Sequence, residues 1–204
     1  TAQPSDELRQ YAARRPHLQD HLKKFKQITG EFPLFIEEAD GEYETNRPNV
    51  LYPVGGPIFC HIYGDVGQDM KYYTIEPELD ETEEVVYTKV RDKLLQKSVT
   101  KPAPENEAEY DDRIEELLQE TCRIKDTEDT GVMDRLSSVV DLGKVELSQA
   151  TYEDIRYILN RDIVGLGPLE PIMRDPANED IHVIGPHETY VDHAVYGMLE
   201  TTVD

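Results

Sequence analysis

The sequence has only two cysteines and no tryptophan in its 204 residues. Cys60 and Cys122 stand far apart, and neither has a second cysteine two residues away, so no zinc knuckle is indicated. We expect both to be buried free thiols, because a cytosolic chain rarely keeps a disulfide. A disulfide between them is the alternative interpretation.

Long hydrophobic runs are also missing. No stretch approaches the roughly 18 apolar residues that cross a membrane, and no signal peptide is visible. The chain begins with Thr rather than Met, so we expect a processed or excised piece. Together these absences predict a cytoplasmic location.

Motifs for catalysis are missing as well. A Walker A motif needs two glycines flanking four residues, then Lys and Ser or Thr, so that backbone N–H groups hold the phosphates. The Gly143–Lys144 pair is followed by Val145, and Ser138 stands where the first glycine belongs. Neither Gly-x-Ser-x-Gly nor His-Glu-x-x-His occurs. We expect no nucleotide-hydrolysing centre and no catalytic residue here, and leave open whether the whole protein is an enzyme.

Positive charge is scarce, since 43 acidic residues face 21 basic ones and the formal net charge is −22. Such a charge repels itself at low salt, whereas at about 1 M salt the Debye length falls to about 3 Å. We therefore expect a halophilic archaeal protein; an ordinary acidic protein is the alternative. Phosphate binding needs cationic patches, so no nucleic-acid partner is expected.

The chain opens with a basic segment, residues 1–30, that carries six basic and three acidic residues. Its apolar spacing predicts two short helices broken at Pro16. They either pack on the protein's own acidic domain or dock on an acidic or membrane-surface partner. Residues 31–56 are rich in proline and glycine and predict an irregular crossing. We assign residues 1–49 to a basic helical arm and this crossing.

Residues 50–124 are predicted to form a first small α+β domain. Alternating apolar residues in 57–76 indicate a β-hairpin. Asp80, with Glu83 three residues later, predicts the capping box of a helix. The buried face of that helix is expected to hold Val86, Val90 and Leu94. A further helix around Ile114 follows a polar connection.

Residues 125–204 are predicted to form a second, truncated α+β domain. Residues 125–131 partly match a calcium loop, but Thr130 and Ser137 stand where ligands belong, so no calcium site is expected. A short helix around Leu136 and three strands near 180–184, 189–193 and 197–202 follow. The three histidines here lack metal-ligand spacing, so we predict no metal site. They are His182, His187 and His193.

The sequence as a whole therefore predicts an α+β fold of two small units. One is a hairpin-plus-helices unit, and the other is a truncated α/β unit with a short, mostly antiparallel sheet.

The most informative stretch is Arg161–Val183, RDIVGLGPLEPIMRDPANEDIHV. Apolar spacing predicts a helix that enters it, with Thr151 and Asp154 as a capping box. Gly165 and Gly167 are expected to stop this helix, because glycine takes left-handed dihedrals at little cost. Pro168 then opens a short helix, and an acidic turn leads into a strand. The prediction is a glycine corner between two helices, followed by a strand, within one domain.

This stretch resembles the N-terminal domain of the type II and type IV secretion ATPases, especially the archaeal secretion, pilus and archaellum motors. Leu166 stands where the family commonly has an aromatic residue. The similarity is strong over about 145–204, weaker over 57–97 and absent at the N-terminus. The positions that fit the family pattern are Arg161, Asp162, Gly165, Gly167, Pro168, Leu169, Glu170, Pro171, Arg174, Asp175, Pro176, Glu179, Asp180 and Ile181.

The resemblance implies that these residues are the N-terminal, non-catalytic domain of a hexameric secretion or pilus-assembly ATPase. In that family a RecA-like domain with the Walker motifs follows, and ATP and Mg²⁺ bind in the parent protein. No cofactor is expected within the present residues. The implied partners are the chain's own RecA-like domain, neighbouring subunits of a homohexamer and a membrane platform protein. The implied location is peripheral, at the inner face of the cell membrane.

The candidate site is a family-signature corner that the functional interpretation places at a subunit interface. Its residues are Arg161, Asp162, Gly165, Gly167, Arg174, Asp175, Glu179 and Asp180. The alternative is that the acidic members cap helices or pair internally with the two arginines. For the whole chain, the alternative function is a stand-alone acidic interaction or adaptor module without enzymatic activity.

Overall fold

The computed structural model describes residues 3–43, 45–68, 70–125, 143–185 and 188–203. The calcium-like loop after Lys125, the predicted helix around Leu136, and His187 lie outside them. The described residues form an α+β fold, as predicted, with a seven-stranded mixed sheet and a two-stranded parallel sheet.

The helices and strands have the following bounds in chain order. They are α1 (Asp6–Ala13), α2 (Pro16–Thr29), β1 (Leu34–Phe35), β2 (Asn49–Gly55), β3 (Ile58–Tyr63), β4 (Lys71–Ile75), α3 (Glu81–Ser98), α4 (Glu107–Thr121), β5 (Cys122–Ile124), β6 (Val145–Leu147), α5 (Gln149–Ile163), α6 (Glu170–Met173), β7 (Asn178–Gly185), β8 (Glu188–His193) and β9 (Gly197–Thr201). Short 3-10 turns lie at Gly41–Tyr43 and Gly167–Leu169.

Contacts within the chain divide it into two compact units. The first combines Thr1–Pro77 with Gly167–Asp204, and the second is Glu78–Leu166. This division differs from the predicted boundaries after residues 49 and 124. Strand pairing gives the reason: β9 pairs in parallel with β4, so the end of the chain completes a sheet that its beginning starts. A prediction that follows the chain in order does not detect such a distant pairing.

The sheet of the first unit has the strand order β1-β2-β3-β4-β9-β8-β7. The triplets β2-β3-β4 and β9-β8-β7 are antiparallel. Strand β1 extends the first triplet by pairing in parallel with β2, and the parallel pair β4-β9 joins the two triplets. The predicted hairpin of residues 57–76 is confirmed as β3 and β4. The three predicted C-terminal strands are confirmed as β7, β8 and β9, with β7 at one edge of the sheet.

Strand β2 runs through the segment that was predicted to be irregular, so that prediction is wrong. Pro53 has no N–H and is tolerated only where the sheet needs no donor. The Leu51 carbonyl accepts a hydrogen bond from the Ile36 N–H beside β1. Pro53 is two residues further along β2, so its backbone faces the same side of the strand. Because β1 pairs only with Val50 and Leu51, Pro53 lies past its end. A register shift between Pro53 and Gly55 then ends the strand.

Both faces of this sheet bury apolar side chains. Helices α1 and α2 cover one face, where Leu8, Leu18 and Leu22 pack against Leu51 and Phe59. The opposite core is built from Val50, Tyr52, Cys60, Ile62, Tyr72, Ile172, Val191 and Leu199. Of the two interpretations of the basic segment, packing on the protein's own domain is therefore the one observed.

In the described residues of the second unit, helices α3, α4 and α5 and a small parallel sheet pack around one core. Asp80 accepts from the backbone of Thr82 and Glu83, and Glu83 accepts from the backbone of Asp80, which confirms the predicted capping box. Val86, Val90 and Leu94 of α3 are buried, as predicted. They pack with Ile114 and Leu118 of α4 and with Ile155 and Leu159 of α5.

Helix α5 is capped differently from the prediction. Ser148 is its N-cap and accepts from the Thr151 backbone N–H at 3.1 Å, so Thr151 lies inside the first turn. Serine before the helix competes well for this position, because its hydroxyl reaches the free N–H groups of the first turn.

Among the described helices, none combines the length and the apolar character that a membrane span requires.

Candidate functional site

The predicted helix end and the glycine-containing turn after it are present, but only one of the two glycines is left-handed. Helix α5 ends at Ile163, and the Gly165 N–H donates to the Asn160 carbonyl at 2.9 Å. Gly167 has φ 58°, whereas Gly165 lies outside the positive-φ region. The turn Gly167–Leu169 then leads into α6, and the chain enters β7 at Asn178. The local sequence of elements is as predicted, and the role assigned to Gly165 is corrected.

The corner does not belong to one module. The boundary between the two units falls between Leu166 and Gly167, so α5 belongs to the second unit and α6 to the first. This division differs from the prediction, which placed the whole stretch in residues 125–204 as one domain. The spacing of the apolar residues predicts the helices and the strand of this stretch. It does not specify the unit in which each of them is buried.

The two signature arginines form local ion pairs. Arg161 Nε lies 2.8 Å from Asp162 Oδ1, and Arg174 Nε lies 2.6 Å from Glu170 Oε1, one helical turn earlier. Both pairs are partly exposed, and such pairs contribute about 0–1 kcal/mol. The Arg161–Asp162 pair is of the kind that the internal-pairing alternative describes, whereas Glu170, the partner of Arg174, is not one of its acidic members.

Asp175 lies inside the core of the first unit, with only 3% of its surface exposed. Its Oδ2 accepts from the hydroxyls of Tyr72 at 2.6 Å and Tyr52 at 2.7 Å. Its Oδ1 accepts from the backbone N–H of Ala177 at 2.9 Å. A buried carboxyl group is tolerated because these donors replace the water that it loses.

His193 extends this cluster, and its tautomer follows from its partners. Its Nδ1 faces the backbone N–H groups of Val195 and Tyr196 at 3.2 and 3.4 Å, so Nδ1 is the acceptor. Its Nε2 therefore carries the proton and donates to the Tyr52 hydroxyl at 3.0 Å. Tyr52 in turn donates to Asp175. We call these four residues, Tyr52, Tyr72, Asp175 and His193, the buried aspartate cluster.

Burial dominates the electrostatics of this cluster. It raises the pKa values of Tyr52 and Tyr72 well above 10, so both remain hydroxyl donors. It lowers the pKa of His193, an effect that the Asp175 and Asp192 carboxylates oppose. The neighbouring Cys60 thiol is completely buried, and its pKa is raised well above 9 by the same desolvation.

The buried aspartate cluster can position backbone but is poorly placed for chemistry on a ligand. Its members come from β2, β4, β8 and the segment after α6, so it ties the start of β7 to three strands. Asn178 adds a bond from its Nδ2 to the Ile172 carbonyl at 2.9 Å. Cys60 and His193 are at most 1% exposed, so a solute does not reach them in this conformation. Asp175 is thus an internal positioning residue.

Glu179 and Asp180 face solvent, as Asp162 and Arg174 also do. Glu179 and Asp180 lie on β7, and Asp180 pairs directly with Asp192 of β8, which brings two carboxylates together. Further along the same strand, Val183 and Ile184 are 59% and 69% exposed. We call Glu179–Ile184 the β7 edge. It is acidic at one end and apolar at the other, and its exposed side chains are available to a partner.

Sequence reasoning missed the two side chains that donate to Asp175, Tyr52 and Tyr72. Strand alternation places Cys60 and Ile62 on one face and Tyr72 beside them, but it does not reveal a carboxyl group about a hundred residues away.

His182 and His193 lie on neighbouring strands, the first exposed and the second buried. No cluster of three or more potential metal-ligating side chains occurs among the residues that the structure describes. Both cysteines are free and buried, as predicted.

Comparisons with known proteins place relatives in an archaeon but give them no activity. The chain is 36% identical over 200 residues to the uncharacterized protein MJ0900 of Methanocaldococcus jannaschii, covering 97% of this chain and 36% of that protein. It is 28% identical over 142 residues to the uncharacterized protein MJ1288 of the same organism, covering 69% of this chain and 49% of that protein. No family model matches. The chain thus spans about a third and about half of these relatives.

Proposed function

We propose that this chain is the N-terminal, non-catalytic part of a hexameric secretion or pilus-assembly ATPase of a salt-adapted archaeon. The parent protein would couple ATP hydrolysis to pilin assembly or protein export. The observation that carries the proposal is the ordered run of fourteen family-pattern positions between Arg161 and Ile181. Its local structure supports the proposal, since a helix end, a left-handed glycine, a short helix and a strand follow in the expected order.

The division of the signature between two units weighs against the simplest form of this kinship, in which the stretch is one docking module. The proposal therefore assigns separate roles to its parts. Asp175 fixes the start of β7 through the buried aspartate cluster, and the β7 edge meets a neighbouring subunit or the chain's own RecA-like domain. ATP and Mg²⁺ would bind in that RecA-like domain, and a membrane platform protein would hold the ring at the inner face of the membrane.

The second candidate is a stand-alone acidic adaptor without enzymatic activity. The β7 edge favours it, because exposed apolar side chains on an edge strand are typical of a surface that receives a partner. Both candidates use the same edge, and they differ in whether a motor follows.

The downstream reading frame of the gene distinguishes the two candidates. A Walker A motif in frame after Asp204 supports the motor, because the glycine-rich loop and its lysine are needed to hold the phosphates. A stop codon before any such motif would rule out the motor proposal and leave the adaptor.

A further inference from the structure

Two histidines meet beneath α2 in the first unit, away from the buried aspartate cluster. His21 Nε2 of α2 lies 2.8 Å from His61 Nδ1 of β3, and His61 Nε2 lies 3.0 Å from Asn49 Oδ1 of β2. His61 is completely buried. A continuous hydrogen-bonded chain therefore runs from the helix through one strand to its neighbour.

Aromatic rings surround this pair. The Phe25 ring lies 4.4 Å from the His61 ring and 6.1 Å from the His21 ring. The Tyr73 ring lies 5.7 Å from His61 and 5.8 Å from His21, and Tyr63 packs edge-on against Phe25 at 4.9 Å. The site is thus poorly solvated, and a charge formed there loses most of its hydration.

The hydrogen-bonded chain is fully satisfied when both rings are neutral. With Asn49 Oδ1 as acceptor, His61 Nε2 carries a proton and His61 Nδ1 accepts from His21 Nε2. If the Asn49 amide is turned over, every donor and acceptor reverses, and His61 still donates once and accepts once. In both arrangements a second proton on His61 faces a donor group, unless His21 changes its tautomer or the Asn49 amide turns over.

The neighbouring groups give a protonated pair little help. On α2 the Lys24 ammonium acts on His21, while β3 and β4 present the phenols of Tyr63 and Tyr73, and β2 presents the Asn49 amide. Burial lowers the pKa of His21 to about 4, with Lys24 as the second cause. Burial also lowers the pKa of His61 well below 6.5, and His21 adds to this effect.

We propose that His21 and His61 form an acid-sensitive latch, which holds α1 and α2 on the sheet at neutral pH and releases them on acidification. The release is local, because these two helices precede every strand of the sheet and attach to it through one face. Opening the latch uncovers the Leu51 and Phe59 face of the sheet, which α1 and α2 otherwise bury. This inference does not depend on the proposed ATPase role.

The direction of the pH effect follows from these lowered pKa values. Below about pH 6.5 the exposed histidines of the released state bind protons. In the latched state His21 does so only near pH 4, and the pKa of His61 is lowered well below 6.5. Latch stability is therefore complete above about pH 6.5 and is lost as the pH falls toward 4. Each proton that a histidine takes up on release changes the ratio of released to latched protein about tenfold per pH unit in this window.

Hydrogen-exchange mass spectrometry of the whole chain between about pH 7.5 and 5 tests the latch. After correction for intrinsic exchange, protection of α1 and α2 is expected to fall at least about tenfold, while β3 keeps its protection. In the His21→Gln, His61→Gln double variant, whose amides bond without titrating, the fall is expected to disappear. The matched control is His182→Gln on the exposed β7 edge, which should behave as the unaltered chain.

Three results would overturn the latch. The first is equal protection of α1 and α2 at both pH values, and the second is simultaneous loss of protection in α1, α2 and β3. The third comes from NMR titration of the unaltered chain, which needs no variant to fold: His21 and His61 titrating near 6.5 with both helices still protected.

Discussion

At the scale of single residues, the structure separates the signature positions by what their side chains contact. Asp175 accepts three hydrogen bonds in the core, Arg161 and Arg174 pair with acids on their own segments, and Glu179 and Asp180 face solvent. One sequence motif thus contains a structural anchor, local ion pairs and a surface that a partner can reach.

Replacing Asp175 with alanine is expected to lower the free energy of unfolding by about 3 kcal/mol. The change leaves the hydroxyls of Tyr52 and Tyr72 and the Ala177 N–H buried without their acceptor, and each such group costs about 1–3 kcal/mol. Urea unfolding at neutral pH measures the effect. Asp180→Ala on the exposed β7 edge is the control and should change stability by less than about 0.5 kcal/mol. Equal effects of the two substitutions would contradict the anchoring role.

Residue-level prediction succeeded where a feature is encoded locally. The capping box of Asp80 and Glu83 is four residues long, and the free thiols were expected because a cytosolic chain rarely keeps a disulfide. The buried aspartate cluster was not predictable in this way. It brings together Tyr52 and His193, which are far apart in sequence, and only strand pairing places them in contact.

At the scale of elements, the turn between α5 and α6 begins with a glycine in the left-handed conformation. Gly167 has φ 58°, and a Cβ added there would meet no heavy atom within 4 Å. The restriction at this position is therefore backbone strain alone, without a steric clash against neighbouring side chains. The local pattern of glycine, proline and apolar residues is why the turn, the short helix and the strand were all predicted correctly.

Gly167→Ala is expected to destabilise the protein by about 1 kcal/mol, the cost of a left-handed conformation for a residue with a Cβ. Gly41→Ala is the matched control, because Gly41 also has open space around its Cβ position but no positive φ. Thermal unfolding followed by circular dichroism compares the two variants. A Gly167 variant as stable as the Gly41 variant would show that the left-handed turn does not constrain this region.

Element prediction failed at β2 for a reason that lies outside the strand. Proline and glycine within residues 48–56 indicate irregular structure, and this inference is sound for a central strand that is paired along its whole length. Here β1 is two residues long, so the backbone side of Pro53 needs no partner. Whether Pro53 fits into β2 depends on the length of the neighbouring strand β1, and the sequence of β2 carries no information about that length.

At the scale of the whole molecule, the pattern of predicted helices and strands indicated the α+β class but not the division into units. Pairing of β4 with β9 joins residues near 72 and 201, whereas the boundaries drawn along the chain separated them. The second unit is then one continuous segment between two parts of the first. Long-range pairing of this kind depends on the register of distant strands, which a single sequence does not specify.

The net charge of −22 gives a prediction for the whole molecule. Raising KCl from about 0.1 to 2 M shortens the Debye length from about 10 Å to below 3 Å, so repulsion among surface carboxylates weakens and Tm is expected to rise. Differential scanning calorimetry measures this directly. A Tm that stays constant or falls over this range would contradict adaptation to a high-salt cytoplasm.

The central claim is that these residues serve an ATP-driven motor without hydrolysing ATP themselves. The most direct measurement is ATP turnover by the complete gene product and by residues 1–204, each purified separately in high salt. We predict turnover by the complete product, lost when its Walker A lysine is replaced, and none by residues 1–204. Turnover by residues 1–204, or a complete product that does not hydrolyse ATP, would contradict the account.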